Sequence, residues 1–392
     1  MATTFKTFLN NDIVSSRTLL HESIPLTGSV LSGTYNGASG AEHNLKTYSH
    51  AMFTSIYDYP YLSSSANHVI DITCGFSSDS SLSRSAASTG ATLGYNTEDQ
   101  QKKKINIYNQ MAQMLMGYDA TGSIQKFDED GDLLAGGTKI REAIFLNLSR
   151  LLVKDEIKKG SFTLVLGVDE DYHTPMNKRI KVVDSDGTTS FKTNSPAGEY
   201  GILYADTHGG GDGSTDFLNT DDGTQKAGLI FYQAGIVVLT ASIFNTADIG
   251  GLLHNTNAGN TPMDVSNGTD IVGGSGKVMT VTSSLSGGTI QNFSNGVRHK
   301  IFDLSFNNTT ELNSTIHFCR ANHNEFNYST NPTYLSNSKI VVKDSTLDSP
   351  VSYISTIGLY SADNELLAVA KLSEPIKKDP TTELTFRVRL DY

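Results

Sequence analysis

Three aspartates at alternate positions, Asp128, Asp130 and Asp132 in "DEDGDL", form the stretch whose residue types and spacing best suit a metal ion. Carboxylates at i, i+2 and i+4, with Gly131 inside the run, open the loop of EF-hand calcium sites. Such a loop also needs glycine at its sixth position and a bidentate glutamate at its twelfth. Those positions hold Leu133 and Lys139, so the pattern fails and an acidic turn is expected.

Other chemistry-bearing stretches fail in similar ways. "GGSGKV" (Gly273–Val278) would need glycine at Ile271 and a hydroxyl at Val278 to cradle phosphate and magnesium. "HGGGDG" (His208–Gly213) has the look of an oxyanion segment, but no G-x-S-x-G elbow exists to supply a nucleophile. His317 and His323 flank Cys319 in "HFCRANHNE", yet zinc needs further ligands at short spacing and Cys74 is the only other thiol. One Cys74–Cys319 bridge can be drawn, but the apolar contexts "DITCGF" and "IHFCRA" favour two buried free thiols. No pair of carboxylates stands out for acid–base work. No enzyme, cofactor or metal is therefore expected.

The elements that would position such residues are mainly strands. One helix is expected over Glu98–Tyr118, where Ile105, Tyr108, Met111, Ala112 and Leu115 recur at three- and four-residue intervals. Asn96 or Thr97 suits its start and Gly117 its end. Met111, Met114 and Met116 are read as core filler. Residues 139–157 support either a second helix or a strand followed by a turn. Beyond them the expected strands are Phe162–Leu166, Arg179–Val183, Tyr200–Tyr204, Leu229–Tyr232, Ile236–Leu239, Lys277–Thr282, Lys300–Phe306, Ser314–Arg320, Lys339–Val342, Val351–Tyr360, Glu365–Leu372 and Glu383–Asp391. "YISTIGLY" and "ELLAVAKL" flank the turn "SADN" and read as a hairpin, with Pro375 and Pro380 punctuating the link that follows.

The last strand is the most regular. Leu384, Phe386, Val388, Leu390 and Tyr392 alternate with Thr385, Arg387, Arg389 and Asp391. Period-two alternation marks a half-buried strand, which must be docked against the hairpin or another chain. Residues 1–96 read as an extended, loop-rich arm. Within it "MFTSIYDYPYL" carries Phe53, Tyr57, Tyr59 and Tyr61, which anchor either a neighbouring subunit or this chain's own core. The expected organisation is thus an arm over 1–96, a helix and connector over 97–135, and a β-rich, sheet- or sandwich-like domain over 136–392. Gly-rich segments near 209–224 and 245–276 read as insertions.

Composition narrows the function. Thirty basic against forty-one acidic residues give a net charge of −11, which disfavours nucleic acid, and "QKKK" (Gln101–Lys104) reads as a solvated helix end. The start lacks an apolar core for a signal peptide, and Gln233, Gly235, Thr240 and Ser242 break the longest apolar run. No membrane partner is expected.

"RLLVKDEIKKGSFTLVLG", "AGLIFYQAGIVVL", "HNEFNYSTNPTY" and "YISTIGLYSADNELLAVAKLSEPIKKD", closing on "RVRLDY", together resemble a family of virion structural proteins of contractile-tailed phages, especially those infecting marine cyanobacteria. The resemblance covers Arg150–Tyr392, and "FKTFLNNDIVSSRTLLHESIPLTG" is similar to shorter members. It implies a tail or baseplate subunit, assembled in the host cytoplasm, whose partners are other virion proteins and copies of itself. The alternatives are a receptor- or glycan-binding fibre module, or a neck or capsid-surface protein. The interface residues expected on either reading of the terminal strand are Leu384, Phe386, Val388, Leu390 and Tyr392.

Overall fold

The structure, a computed structural model, describes residues 5–28, 44–58, 67–83, 98–133, 136–168, 176, 178–207, 225–241, 285, 289–328, 335–336, 339–340 and 350–392. Tyr59, Tyr61, Asn96, Thr97, the strand expected over Lys277–Thr282 and the two Gly-rich insertions lie outside them.

In chain order the elements are β1 (Ile13–Thr27), β2 (Leu45–Thr47), β3 (Thr54–Tyr57), β4 (His68–Phe76), α1 (Glu98–Leu115), β5 (Glu142–Leu148), α2 (Arg150–Val153), β6 (Glu156–Ile157), β7 (Thr163–Gly167), β8 (Arg179–Val183), β9 (Lys192–Ser195), β10 (Gly198–Thr207), β11 (Gln225–Phe231) and β12 (Ile236–Thr240). Then come α3 (Ile290–His299), β13 (Ile301–Ala321), β14 (Leu335–Ser336), β15 (Lys339–Ile340), β16 (Ser352–Tyr360), β17 (Leu366–Lys378) and β18 (Leu384–Asp391). The fold is mainly β. The chain divides into a larger unit, His21–Thr310, and a smaller one, Met1–Leu20 with Glu311–Tyr392.

In the larger unit the strands follow the order β13-β7-β8-β10-β11-β12-β5-β4-β3-β2, and each neighbouring pair is antiparallel. β12, β5 and β4 sit mid-sheet, and their near-continuous apolar sequence reflects burial of both faces. The continuous apolar core lies wholly in this unit. At its centre the rings of Tyr108, Phe127, Phe145 and Phe231 meet with centroids 5.5–6.5 Å apart. Antiparallel neighbours need only short connections, and β11 and β12 are joined through Gln233, Ala234 and Gly235 as expected.

Helix α1 lies on β4, at a position that only glycine permits. A Cβ on Gly75 would come 2.6 Å from Lys104 O and 2.9 Å from Tyr108 N, inside van der Waals contact with the helix backbone. Tyr108, Ala112 and Leu115 are buried in the core as expected, Ile105 and Met111 pack half-buried against it, and Ile107, not expected there, is buried as well. Gly117, at φ +77°, closes the helix by donating its N–H to Ala112 and Gln113 carbonyls. Of the methionines, Met116 is buried and Met114 is exposed, so only part of that row fills core.

Several expectations change. Of the two forms open to residues 139–157, the strand followed by a turn is the one adopted, as β5, the single turn α2 and the short β6. β1 to β4 lie within the stretch read as loop-rich, and β3 and β4 are buried. The strands expected at Lys300–Phe306 and Ser314–Arg320 are one strand, β13, because the polar run between them, "NNTTELN", still pairs with β6 at Asn308 and Thr309. Helix α3 was not expected, since Ile290, Phe293 and Val297 are sparse among Gln, Asn, Ser and Gly. "QKKK" is not simply a solvated end: Lys104 is fully buried, its Nζ donating to Leu285 O at 2.6 Å.

In the smaller unit β16 and β17 form a separate two-stranded sheet, β14 pairs with β15, and β18 pairs with the second half of β13. β17 continues through Pro375 to Lys378. Thr356 pairs with Lys371 and Ile354 with Ile376, so Leu372–Pro375 bulge opposite Ser355, where no ladder N–H is demanded of the proline.

Candidate functional site

The two units distribute apolar side chains in opposite ways. Among the described residues the smaller unit buries only Ala321, Leu359 and Val388 as apolar side chains. Yet seventeen of the twenty-one exposed large hydrophobic residues belong to it, all but Met114, Tyr118, Leu151 and Phe302. Side chains of this size carry about 150–250 Å² each when aromatic. At roughly half exposure, seventeen of them leave on the order of 1,500 Å² of apolar surface in water.

What the smaller unit buries instead is polar. Lys378 is fully buried, and its Nζ donates to Asn327 Oδ1 at 2.7 Å, Asp379 O at 2.9 Å and His323 O at 3.3 Å. Asn327 Nδ2 donates to His323 O at 2.8 Å, closing the cradle. Ser352 Oγ donates to Phe326 O. Asp12, 4% exposed, accepts from Leu9 N at 2.9 Å and faces Arg320 Nε at 2.7 Å. Ladders and polar contacts therefore shape this unit, while its oily side chains point outward.

The terminal strand shows the arrangement most plainly. β18 pairs antiparallel with β13, Ala321 opposite Leu384 through Ser314 opposite Asp391. It pairs with neither hairpin strand. Val388 is buried, Leu384, Phe386 and Leu390 are half-buried, and Thr385, Arg387, Arg389 and Asp391 are exposed, as the alternation requires. Ser314 Oγ donates to Asp391, Arg389 Nη2 reaches Ser314 Oγ at 3.1 Å, and Tyr392 exchanges backbone hydrogen bonds with Asn313. Hydrogen bonds from Ser314 and Arg389 hold the Asp391 carboxyl below its usual range. Tyr392 nonetheless leaves 76% of its surface in water, with its hydroxyl 2.9 Å from Thr315 Oγ1.

Of the four aromatics singled out in "MFTSIYDYPYL", the structure describes Phe53 and Tyr57, and both contact side chains of this chain. Tyr57 is buried beside His68, ring centroids 5.3 Å apart, and burial pushes its phenol up to about 12. Phe53 is half-buried against Tyr48 and His50. Tyr57 thus packs on this chain's own core, while Phe53 keeps part of its ring exposed.

The aspartate triad converges, with one ligand atom from each of Asp128, Asp130 and Asp132 within 4.8 Å of the others. No other group of three or more His, Cys, Asp or Glu converges among the described residues. The charge is already met from inside. Asp128 is fully buried, paired with Lys139 Nζ, and accepts from Leu133 N at 3.1 Å, while Lys226 lies 3.4 Å from Asp130. Burial raises the Asp128 carboxyl despite Lys139, whereas its hydrogen bond to Asp128 lowers Asp130. A cation would have to displace Lys139. His317 and Cys319 sit on β13 opposite Val388 and Phe386, His323 faces Glu383 at 3.3 Å, and both cysteines are free, Cys74 buried as expected but Cys319 only half-buried.

No protein-family model, curated protein or solved structure matches this chain. No helix among the described residues is long and apolar enough to cross a membrane. The feature most in need of a function is therefore the smaller unit's outward apolar surface. Its signal in the sequence was the doublet Leu366–Leu367, which breaks the alternation of "ELLAVAKL".

Proposed function

We propose that the chain is a structural subunit of a multi-subunit particle, a virion component of the contractile-tailed phage type, located in the tail or baseplate. The observation that carries the reading is the smaller unit's inverted distribution, polar groups buried and large apolar side chains exposed. Interfaces of permanent assemblies look like a core cut in half, and they commonly bury about 2,000–5,000 Å² in total. A β unit with three buried apolar side chains has the other half of its core elsewhere. The resemblance of residues 150–392 to virion structural proteins supports the same role.

Purified virions test it. The chain should be present at fixed stoichiometry, with Leu367 and Tyr392 protected from solvent labelling in the particle and labelled in the isolated chain. A chain recovered from infected cells but absent from virions overturns the reading. A glycan-binding fibre module is favoured by one observation, the exposed rings of Tyr328, Tyr353, Tyr360 and Tyr392, which suit stacking against sugars. Binding to host envelope polysaccharide that is lost in a Tyr353→Ala, Tyr360→Ala double variant would promote it.

A further inference from the structure

The β16–β17 hairpin has one half-buried face and one bare one. Leu359 and Ile357 pair with Ala368 and Ala370 on the inner face, where Leu359 is buried and the others are half-buried. On the outer face Tyr360 pairs with Leu366 and Gly358 with Val369, and all four are exposed. The register shift beside Tyr360 pushes Leu367 out as well, 69% exposed. Gly358 lets the neighbouring side chains close over it: a Cβ there would lie 2.8 Å from the Tyr360 ring and 3.3 Å from Leu366 Cδ1. Phe5 extends the patch, its ring centroid 4.7 Å from that of Tyr360. Tyr360, Leu366, Leu367, Val369 and Phe5 thus make one apolar surface at the turn end of the hairpin. A two-stranded sheet is marginal in water unless a further layer covers it.

We infer that this outer hairpin face docks a second copy of this chain. The inference builds on the assembly reading and names one partner for it. Charge favours a copy over a charged partner. The smaller unit carries ten basic and eleven acidic residues, so two copies meet there with almost no net repulsion. The larger unit carries the remaining twenty basic and thirty acidic residues, and copies brought together on it would repel. Lys371 lies at one end of the patch and the exposed Asp363 and Glu365 of the turn at the other, so its rim carries both signs. An apolar patch satisfies itself when placed against its own image across a two-fold axis. Phe5, Tyr360, Leu366, Leu367 and Val369, at about half exposure, offer roughly 450 Å² per copy, so a two-fold contact covers about 900 Å², close to the roughly 1,000 Å² that a specific interface needs.

Sedimentation velocity on the full chain over a wide concentration range tests it. The wild type should self-associate. The Leu367→Asp, Val369→Asp double variant should weaken association at least about a hundredfold, since it places charges in a desolvated contact, with an unchanged circular dichroism spectrum. A photo-crosslinker at Leu367 serves if that variant misfolds: mixed copies bearing different tags should give crosslinks between tags. A wild type that stays monomeric, association indifferent to both substitutions, or crosslinks confined within one copy would overturn the inference. A monomeric chain that is nonetheless present in virions would remove this inference and leave the assembly reading standing.

Discussion

Lys378 Nζ donates to Asn327 Oδ1 at 2.7 Å inside a unit that buries almost no apolar side chains. The ammonium is fully enclosed, and three oxygens take its three protons: the Asn327 amide and the carbonyls of His323 and Asp379. Hydrogen bonds to a charged group contribute about 1.5–3 kcal/mol each when measured by removal. Lys378→Met keeps the volume but strands those acceptors. It should destabilise the smaller unit by about 2–3 kcal/mol, read as faster amide exchange at β16 and β17, with little change at β4 or β5.

Close approach at Gly75 gives a second prediction, in the larger unit. Gly75→Ala sets a methyl carbon 2.6 Å from Lys104 O and 2.9 Å from Tyr108 N, so helix and strand must separate. Forced overpacking of a core costs about 1–3 kcal/mol. The denaturation midpoint should fall accordingly, while Gly136→Ala, where a Cβ meets nothing within 4 Å, should leave it unmoved.

Burial pushes the Cys74 thiol up to about 11, with Lys104 pulling modestly the other way. The folded chain holds this proton more tightly than the unfolded chain, so the associated stability is complete below about pH 9 and is lost as pH rises towards 11. A two-unit shift corresponds to about 2–3 kcal/mol. Lys104, whose pKa burial lowers, has a pH dependence of the opposite sign. The readout is therefore the difference between wild type and Cys74→Ala, which should shrink by that amount from pH 9 to 11. Wild-type Cys74 should also resist alkylation at pH 8 until the chain is unfolded.

The acidic turn makes a prediction that separates a salt-bridged loop from a metal site. Lys139 and the fully buried Asp128 are partners, and removing one member of a buried pair costs about 3–5 kcal/mol. Lys139→Ala should destabilise the fold by about 3 kcal/mol, whereas calcium or a chelator should leave the wild-type melting temperature unchanged. A calcium-dependent rise in the wild type would show that the cation displaces Lys139.

Most of the sheet was legible because strands buried on one or both faces write a period-two or a continuous apolar pattern. Arg179–Val183 and the terminal strand emerged within a residue of their observed bounds. β1 was not legible, since Ile13–Ser23 is exposed along its whole length and so carries no alternation. The pairing of β18 with β13 was not legible either: both partners and the hairpin alternate alike, and only long-range packing chooses between them. The outward hairpin face was masked by the same ambiguity, because alternation identifies two faces without saying which is covered. Lys378, beside Lys377 in "IKKD", gave no sign that one of the pair is buried.

The terminal strand makes the last prediction, and it concerns what β18 prevents as much as what it holds. Its removal would uncover the edge of β13 from Ser314 to Ala321, a row of unpaired backbone donors and acceptors next to half-exposed apolar side chains. Long bare edges of this kind template pairing with other chains. Among the described residues the outer edge is that of β18, where the exposed Arg387 and Arg389 oppose stray pairing by like charge. Deleting Leu384–Tyr392 should therefore move most of the protein into the insoluble fraction and produce thioflavin-binding aggregates. Arg387→Thr with Arg389→Thr should aggregate more slowly, remain folded by circular dichroism, and show a lag that shortens with concentration. Soluble, monodisperse truncated protein would mean that the β13 edge is covered without its partner.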